Sequence, residues 1–299
     1  MSAIKKVAIA GSTGNLGPAV LQQLTEAGFE VTALTRQRAS HSFPSSVKVA
    51  EVDYTSLESL TNALRGQDAV VSTVGQVPVA DKLLLVEAAV KAGVKRFIPS
   101  EFGSNTVHPK ASKLPSYADK VAVQDALKKK AQDSGMTYTF VLTGPFLDWG
   151  VRVGFLVDLK GKSITLWDGG DRAFSTTTLS TIGQAVAGVL KHPEETKNRA
   201  VYVQNTAISG KKLLEIAKRA TGSDDWKVNN ASLDDFVNQG WEELRKPQPD
   251  PAKFVFNFIT AAIHGDGYGA KFEKLDNELL GIKEMSEGEI ETLIGELAK

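Results

Sequence analysis

The chain has 299 residues, a length that suits one large domain or two interlocked ones. Its 35 lysine and arginine residues balance 35 aspartate and glutamate residues, and a formal charge of zero gives no indication of a nucleic-acid or anionic-membrane partner. The absence of cysteine excludes disulfides, thiolate metal sites and a cysteine nucleophile.

Apolar strand-like runs alternate with helical patterns through the first half of the chain. We predict strands at IKKVAIA, EVTALT, VKVAEV, AVVSTV, KRFIP and TYTFVL, with the helices GPAVLQQLTEAG, SLESLTNALRG, DKLLLVEAAVKAG and YADKVAVQDALKKKAQDSG between them. Apolar strands separated by helices predict a parallel sheet that is covered on both faces, which is the doubly wound α/β (Rossmann) fold.

The alternation is lost beyond Gly144. GKSITLWDGGDRAFSTTT predicts strand and turn, TIGQAVAGVLKH a helix and NRAVYVQN another strand, whereas helical patterns prevail from Ile208 onward. We therefore expect a nucleotide-binding domain over residues 1–150 and roughly 172–205, and a smaller, mostly helical substrate lobe over 151–171 and 206–299. No signal peptide or membrane-spanning pattern is present, so we expect a cytoplasmic protein.

A glycine-rich turn, GSTGNLG at residues 11–17, follows the first strand and opens the first helix. We expect Gly11 to permit the tight turn, Gly14 to let a pyrophosphate approach the backbone, and Gly17 to let the helix pack close to the sheet. The free N–H groups and positive dipole end of the helix suit phosphates. The pattern predicts a dinucleotide site with these residues: Gly11, Thr13, Gly14, Asn15, Leu16 and Gly17.

The end of the second strand indicates which dinucleotide binds. An NAD site usually has a carboxylate there to hold the ribose 2′-hydroxyl. This strand instead ends at Thr35 and Arg36, with Arg38 close by, while Glu30 lies at its other end. Because a guanidinium can grip a 2′-phosphate with paired hydrogen bonds, the sequence predicts NADP(H).

The later strand ends extend the predicted cofactor site, since ligands of open α/β sheets lie across the carboxyl ends of the strands. Asp53 and Tyr54 close the third strand and are expected to border the adenine. The fourth and fifth strands end in further predicted cofactor contacts: Thr73, Val74, Gly75, Ser100, Glu101 and Phe102.

The motif IPSEFG, taken with GSTGNLG, LTR, VSTVG and TYTFVLTGPF, resembles the isoflavone reductase and phenylcoumaran benzylic ether reductase family. This family belongs to the NmrA-like branch of atypical short-chain dehydrogenases. The resemblance runs in order over residues 6–149 and returns weakly in STIGQAVAGVL and NELLGIKEMSEGEIETLI. It implies an oxidoreductase of secondary metabolism that transfers hydride from NADPH to an activated C=C, C=N or C=O bond or a benzylic carbon of a small, aromatic or other secondary-metabolite substrate.

The resemblance also implies a catalytic lysine early in the helix after the SEFG loop, and Lys120 matches it by position. Lys120 would act as general acid or base and also contact the cofactor, and burial should lower its pKa. Tyr117 lies three residues earlier, whereas ordinary short-chain dehydrogenases space their tyrosine and lysine by four. Tyr117 is therefore interpreted as a substrate or cofactor contact only.

Further pocket residues are predicted around the sixth strand. The family has an aromatic residue near the nicotinamide after this strand, which implies cofactor contacts at Pro145 and Phe146 and substrate contacts at Phe146 and Trp149. His108 either lines the pocket or fixes its own loop. The late segment FVFNFITAAIHGDGYGAKFE either forms an apolar substrate wall or packs in the core.

Other classes of protein are less well supported by the sequence. His41, His192 and His264 have no partners at metal-ligand spacing, so no metal is predicted, and no G-x-S-x-G hydrolase motif is present. One alternative is a non-catalytic, NmrA-like NADP(H) sensor, and another is a nucleotide-sugar epimerase or dehydratase. We expect a small-molecule substrate, no nucleic-acid or membrane partner, and a monomer or homodimer.

Overall fold

The structure is a computed structural model that describes residues 3–36, 42–75 and 77–299. Its first half alternates strands and helices at the predicted places, as follows: β1 (Lys6–Ala10), α1 (Gly17–Glu26), β2 (Glu30–Thr35), β3 (Lys48–Glu51), α2 (Leu57–Leu64), β4 (Ala69–Ser72), α3 (Val79–Lys91), β5 (Arg96–Ile98), α4 (Ala118–Ser134) and β6 (Thr137–Leu142). Two short 3₁₀ turns, Ala111–Lys113 and Pro115–Tyr117, precede α4.

The second half contains the remaining strands and helices of the described residues. In chain order they are α5 (Leu147–Arg152), β7 (Ser163–Trp167), β8 (Ala173–Thr176), α6 (Leu179–Lys191), β9 (Arg199–Tyr202), β10 (Thr206–Ser209), α7 (Gly210–Thr221), β11 (Lys227–Ala231), α8 (Leu233–Leu244), α9 (Pro251–His264) and α10 (Glu287–Leu297). None of the helices in the described ranges is both long and apolar enough to cross a membrane.

The central sheet has seven strands in the order β3-β2-β1-β4-β5-β6-β9, and every neighbouring pair is parallel. The chain starts in the middle of this sheet, moves to one edge and then returns to build the other half. The carboxyl ends of β1 and β4 therefore meet where the strand order reverses, which is the expected ligand position in such a sheet. The predicted doubly wound α/β fold is confirmed.

Two apolar layers cover the two faces of the sheet. One layer contains Val20, Leu24, Ile182 and Val186 from α1 and α6, and the other contains residues of α2, α3 and α4, such as Leu60. The central strand β1 alternates between them: Val7 and Ile9 belong to the first cluster, and Ala8 and Ala10 to the second. This burial on both faces explains why the strands are continuous apolar runs.

The second half adds two small sheets and a third apolar cluster. β8 pairs with β10 in an antiparallel sheet, and β11 pairs with β7 in a parallel one. β10 falls in a stretch where no strand was predicted, whereas β9 joins the large sheet beside β6. A third cluster includes Leu166, Phe174, Leu213 and Ile294. The predicted domain limits stay a prediction, since β8 lies outside the large sheet although residues 172–205 were assigned to the first domain.

Candidate functional site

The glycine turn at residues 11–17 connects β1 to α1 in a close backbone fold. Gly11 has a φ of +84°, which a residue with a side chain rarely adopts, and its carbonyl accepts the Gly14 N–H at 3.1 Å. A Cβ added to Gly17 would lie 2.2 Å from the Gly11 carbonyl oxygen. The close contact that requires Gly17 is therefore with the turn itself, not with the sheet as predicted.

The start of α1 leaves its first N–H groups without a side-chain acceptor. Leu16 occupies the N-cap position, which has no side-chain cap, and the first turn has no acidic residue. Ser56 and Thr178, in contrast, cap α2 and α6. A Cβ on Gly14 would meet no described atom closer than 3.5 Å, so the protein itself does not require glycine there. These features fit a dinucleotide pyrophosphate, whose approach would require the bare backbone.

The turn is fixed to the neighbouring strand by Thr73. Its Oγ1 donates to the carbonyl oxygens of Ala10 and Gly11 at 3.0 and 2.9 Å. A Cβ on Gly11 would also lie 2.9 Å from the Thr73 carbonyl carbon. The end of β4 thus holds the glycine turn in place. Thr13, Gly14 and Asn15 remain exposed above it.

The ends of β2 and β3 lie on the other side of this turn. Arg36 is exposed and Thr35 is buried. The Tyr54 hydroxyl donates to the Leu34 carbonyl at 3.3 Å, and burial raises the pKa of this hydroxyl to about 12, although the Gly11 N–H and Arg36 oppose the shift. Tyr54 therefore links the glycine turn to the predicted phosphate-binding arginine.

Asp53 is occupied by local contacts at the end of β3. Its Oδ1 accepts hydrogen bonds from the Thr55 hydroxyl and N–H at 2.7 and 2.8 Å, and these bonds lower the pKa of the exposed Asp53 carboxyl. Its predicted place at the adenine stays a prediction. Arg38 and His41 lie outside the described residues.

A cavity of about 1030 Å³ opens where β4, β5 and β6 end. We call it the large cavity. It brings together many of the residues predicted from separate motifs: Val74, Gly75, Ser100, Glu101, Phe102, Tyr117, Lys120, Pro145, Phe146 and Trp149. The predicted residues of the glycine turn and of the β2 and β3 ends, together with Thr73, are not part of its lining. The two groups thus form two neighbouring regions along the carboxyl edge of one sheet.

Lys120 lies half-buried in the first turn of α4 and lines the large cavity. Its Nζ donates to the Glu101 carbonyl oxygen, and a Cβ on Gly103 would lie 3.8 Å from that Nζ. Burial lowers the pKa of Lys120, the Glu101 carboxylate opposes this shift and Lys82 adds to it. The predicted direction of the shift is confirmed, and its main cause is burial by the protein itself.

Glu101 is held by a chain of buried polar groups behind Lys120. The Thr106 hydroxyl donates to the Glu101 carboxylate, and Gln124 Nε2 donates to the Thr106 hydroxyl at 3.0 Å. All three side chains are buried. Gln124 lies four residues after Lys120 on α4, so this chain of hydrogen bonds ties the helix to the loop after β5 a second time.

Lys82 is a cavity residue that sequence reasoning missed. It lies on α3, its side chain is 19% exposed, and its Nζ is 3.2 Å from Asp119 Oδ2 on α4. The ion pair places a second cation beside the Lys120 site. The local sequence DKLLLVEAAVK gave no clear signal, because charges at the start of a helix are common on a solvated face.

Tyr117 and His108 have different surroundings. Tyr117 lines the large cavity, but its hydroxyl donates to Ser104 Oγ at 2.8 Å, and burial raises its pKa. His108 is not part of the cavity lining. Its Nδ1 accepts the Lys110 N–H at 3.2 Å, and a Cβ on Gly269 would lie 3.0 Å from its ring. The structure therefore favours the loop-fixing interpretation of His108, and its substrate contact stays a prediction.

The loop after β6 places two aromatic rings in the large cavity. Gly144 has a φ of +64°, and a Cβ there would lie 1.8 Å from the Ser175 carbonyl oxygen. The Gly144 N–H donates to the Gly103 carbonyl at 2.9 Å, which joins this loop to the SEFG loop. Phe146 and Trp149 then pack edge to face with ring centroids 6.3 Å apart.

The late aromatic segment forms helix α9, which has two apolar faces. The sequence left open whether this segment forms a substrate wall or packs in the core. Phe254, Val255, Phe256, Ile259 and Ile263 line the large cavity, as does Phe155 before β7. Phe258, Ala261 and Ala262 instead pack in a core cluster with Leu114 and Tyr117. The segment is both a cavity wall and part of the core.

The chain matches known proteins over most of its length. The model of the NmrA-like family matches residues 3–238. The chain belongs to the NmrA-like family. The resemblance to this family that the motifs predicted is thereby confirmed. Among the residues that the structure describes, no group of three His, Asp or Glu side chains could hold a metal ion.

Two curated relatives and one solved structure illustrate what this NmrA-like protein is similar to. Oxidoreductase poxI of Penicillium oxalicum is 34% identical and aligns with 95% of this chain and 92% of its own. Phenylcoumaran benzylic ether reductase TP7 of Nicotiana tabacum is 31% identical, with 91% of each chain aligned. The binary complex of leucoanthocyanidin reductase with NADPH from Vitis vinifera has a TM-score of 0.75 at 20% identity, covering 98% of this chain and 99% of that chain.

Proposed function

We propose that this protein is an NADPH-dependent reductase of a small, aromatic or other secondary-metabolite substrate, with Lys120 as its general acid or base. The observation that carries the proposal is the half-buried Lys120 ammonium, which lines the large cavity at the carboxyl edge of the sheet and has a lowered pKa. Relatives named as an oxidoreductase and a reductase, and a fold neighbour that binds NADPH, support it.

The cofactor contacts divide between the two regions of the site. The first N–H groups of α1 and the bare Gly14 backbone would receive the pyrophosphate, and Arg36 the 2′-phosphate. Val74, Gly75, Pro145 and Phe146 would border the nicotinamide end at the large cavity. NADPH supplies the hydride, and the protein orients the substrate and excludes water.

Lys120 would hold the proton for the substrate. Its Nζ is anchored to the Glu101 carbonyl, so the ammonium is fixed before a substrate enters. A lowered pKa brings the lysine closer to the range in which it can give up a proton at neutral pH. It would protonate, or polarise through a hydrogen bond, a substrate oxygen or nitrogen while hydride reaches carbon. Phe146, Trp149 and the apolar face of α9 would pack against the substrate ring.

The alternative, a non-catalytic NADP(H) sensor, keeps the glycine turn but has no use for a fixed lysine in a large cavity. Calorimetry with NADPH, NADP⁺, NADH and NAD⁺ in one series separates the two. A reductase is expected to bind both phosphorylated forms tightly and the other two weakly. A strong preference for an oxidised form would favour the sensor, and indifference to the 2′-phosphate would contradict the assignment of NADP(H).

We predict that Arg36→Ala weakens NADPH binding by about 10–100-fold and leaves NADH binding nearly unchanged, since a hydrogen bond to a charged group contributes roughly 1.5–3 kcal/mol. Calorimetry of both dinucleotides measures the ratio. Arg65→Ala is the matched control, because Arg65 is also exposed but follows α2, before β4 begins. Equal loss of both cofactors in Arg36→Ala would remove the basis for the phosphate contact.

The two charged neighbours of Lys120 should move the pH dependence of turnover in opposite directions. If Lys120 is the acid, activity falls as pH rises through its pKa. Glu101→Gln keeps an acceptor for Thr106 but removes a charge that favours the ammonium, so the falling limb should move to lower pH. Lys82→Met removes a cation and should move it to higher pH.

The pH profiles of the wild type and both variants are to be measured with one substrate. Asp119, the ion-pair partner of Lys82, and Tyr117 are the other titratable groups at this place. Unmoved pH profiles in both variants would show that neither charge acts on Lys120. The proposal also keeps four expectations from the sequence. They are a cytoplasmic location, no nucleic-acid or membrane partner, a monomer or homodimer, and the two predicted domains.

A further inference from the structure

A second, smaller cavity of about 250 Å³ lies beside the large one, between β7 and helices α8 and α9. We call it the side pocket and define it by six of its lining residues: Phe155, Trp167, Phe236, Phe256, Thr260 and His264. The rings of Trp167 and Phe236 face each other with centroids 4.7 Å apart. Four aromatic side chains and an imidazole therefore line a partly open space that suits one flat ring.

The side pocket and the large cavity share a wall. Phe155 and Phe256 belong to both linings, and their ring centroids are 5.8 Å apart. Phe256 is 50% exposed, which is unusual for a phenylalanine. The two rings form part of the wall between the two spaces, and rotation of the exposed Phe256 ring about its side-chain bonds would change that wall.

His264 is the polar residue of the side pocket that has an aromatic ring. Its ring packs edge to face on Phe174 at 5.0 Å and lies 6.5 Å from the ring of Trp167. No described residue forms a hydrogen bond with either ring nitrogen, although the His264 carbonyl accepts one from Arg172. The His264 side chain is half-buried and lines the side pocket, so a ligand in that pocket can supply a hydrogen-bond partner to the ring.

The ionic state of His264 defines the chemistry it offers. Burial lowers the pKa of His264 to about 4, and Arg172 adds to the shift, so the ring is neutral at pH 7. A neutral imidazole has one N–H donor and one nitrogen acceptor. Asp158, the charged residue of the pocket lining, already accepts the Gly161 N–H at 2.9 Å. The imidazole thus offers a neutral donor and a neutral acceptor, beside the hydroxyl groups of Ser163, Thr165 and Thr260 in the lining.

We propose that the side pocket is a ligand site for a planar aromatic ring that carries a hydroxyl or carbonyl oxygen, and that this oxygen binds the His264 imidazole. A dry cavity of about 150 Å³ already holds benzene, so 250 Å³ is enough for a ring with small substituents. The aromatic walls contribute ring contacts, and the imidazole selects an oxygen-bearing ring over a plain hydrocarbon.

Such a ring has two possible sources, a separate small molecule or the far end of a substrate held in the large cavity. Both carry the same chemistry into the side pocket. The proposal does not depend on reductase activity, because it rests on the walls of the side pocket and the unpartnered imidazole. If the ring is part of the substrate, Phe155 and Phe256 become residues that set how long a substrate this enzyme accepts.

The test uses protein labelled with ¹³C-histidine and titrated with 4-ethylphenol, followed by NMR. The signal that disappears in His264→Leu assigns His264 among the four histidines of the chain. We expect 4-ethylphenol to move the His264 signal and to bind about tenfold more weakly to His264→Leu, the fold-change for the loss of one hydrogen bond. Ethylbenzene, which lacks the hydroxyl, should bind both proteins equally and weakly.

Two further measurements make the result decisive. NADPH affinity measured on His264→Leu reports whether that variant has folded, and Phe236→Leu, which removes one aromatic wall, should weaken both probes. Tighter binding of 1,2-bis(4-hydroxyphenyl)ethane than of 4-ethylphenol by tenfold or more would assign the ring to a ligand that extends into the large cavity, and equal affinity would assign it to a separate molecule. An unmoved His264 signal, or equal 4-ethylphenol affinity for wild type and His264→Leu, would overturn the proposal.

Discussion

Replacement of Lys120 by methionine is expected to lower turnover by a factor of about 10²–10⁴, the usual contribution of a positioned general acid or base. NADPH affinity should change little, because the pyrophosphate and 2′-phosphate contacts assigned above lie in the other region of the site. Methionine keeps most of the length and apolar volume of the lysine stem and removes only the ammonium. The hydrogen bond to the Glu101 carbonyl is lost as well, so thermal stability is to be measured in parallel.

The experiment needs a substrate, which a screen of aromatic compounds with activated double bonds or benzylic ethers would supply through the loss of NADPH fluorescence. Single-turnover oxidation then separates chemistry from product release. Lys128→Met is the matched control, because Lys128 lies on the same helix and is 47% exposed. Wild-type turnover in Lys120→Met would contradict the catalytic role, and loss of turnover in both variants would indicate a general effect on α4.

Alanine at two glycines of the same turn is expected to have opposite consequences. Gly17→Ala puts a Cβ 2.2 Å from the Gly11 carbonyl oxygen and 2.5 Å from the Ser12 carbonyl carbon, and backbone atoms have little freedom to move away. It should lower the free energy of unfolding by about 1–3 kcal/mol, the usual cost of overpacking. Gly14→Ala meets no atom closer than 3.5 Å and does not have a positive φ, so stability should be nearly unchanged.

The affinity for NADPH should be affected by the glycine substitution that leaves stability nearly unchanged. Gly14→Ala should weaken NADPH binding roughly 10–100-fold, because the methyl group would occupy space that the pyrophosphate needs. Denaturant unfolding without cofactor and calorimetry with NADPH measure the two effects. Unchanged NADPH affinity in Gly14→Ala would show that the phosphates do not approach that residue. A fully stable Gly17→Ala would show that the turn can relax.

The parallel, doubly wound α/β class was predictable because local patterns encode it, whereas the strand order came from the structure. Most of these strands are apolar runs followed by a helical pattern, and central strands such as β1 and β4 are buried on both sheet faces, which requires that composition. The glycine turn was predictable for a related reason, since its backbone needs Gly11 and Gly17 whatever the rest of the chain does. β10 was missed because a strand of four residues carries too little periodicity to be recognised.

The large cavity was only partly predictable. Residues that follow strands, such as Gly75 and Ser100, were found because parallel strands end at one edge of a sheet, whereas Phe146 was implied by the family resemblance. Lys82 and Phe155 were missed because they come from the start of a helix and from a loop, where no short-range pattern indicates what they face. The side pocket could not be foreseen either, since its walls join residues of β7, α8 and α9 that are distant in the sequence.

The sequence by itself determined the fold class, the glycine turn, the arginine at the end of β2 and, through its motifs, the family and the position of Lys120. These depend on residues close together in the chain, or on strand ends whose place the fold class fixes. Only the tertiary structure decided that the charges of Glu101 and Lys82 act on the pKa of Lys120 in addition to burial, and that α9 forms a wall of the large cavity. Desolvation and cavity shape depend on atoms from many distant segments, and no local pattern records their sum.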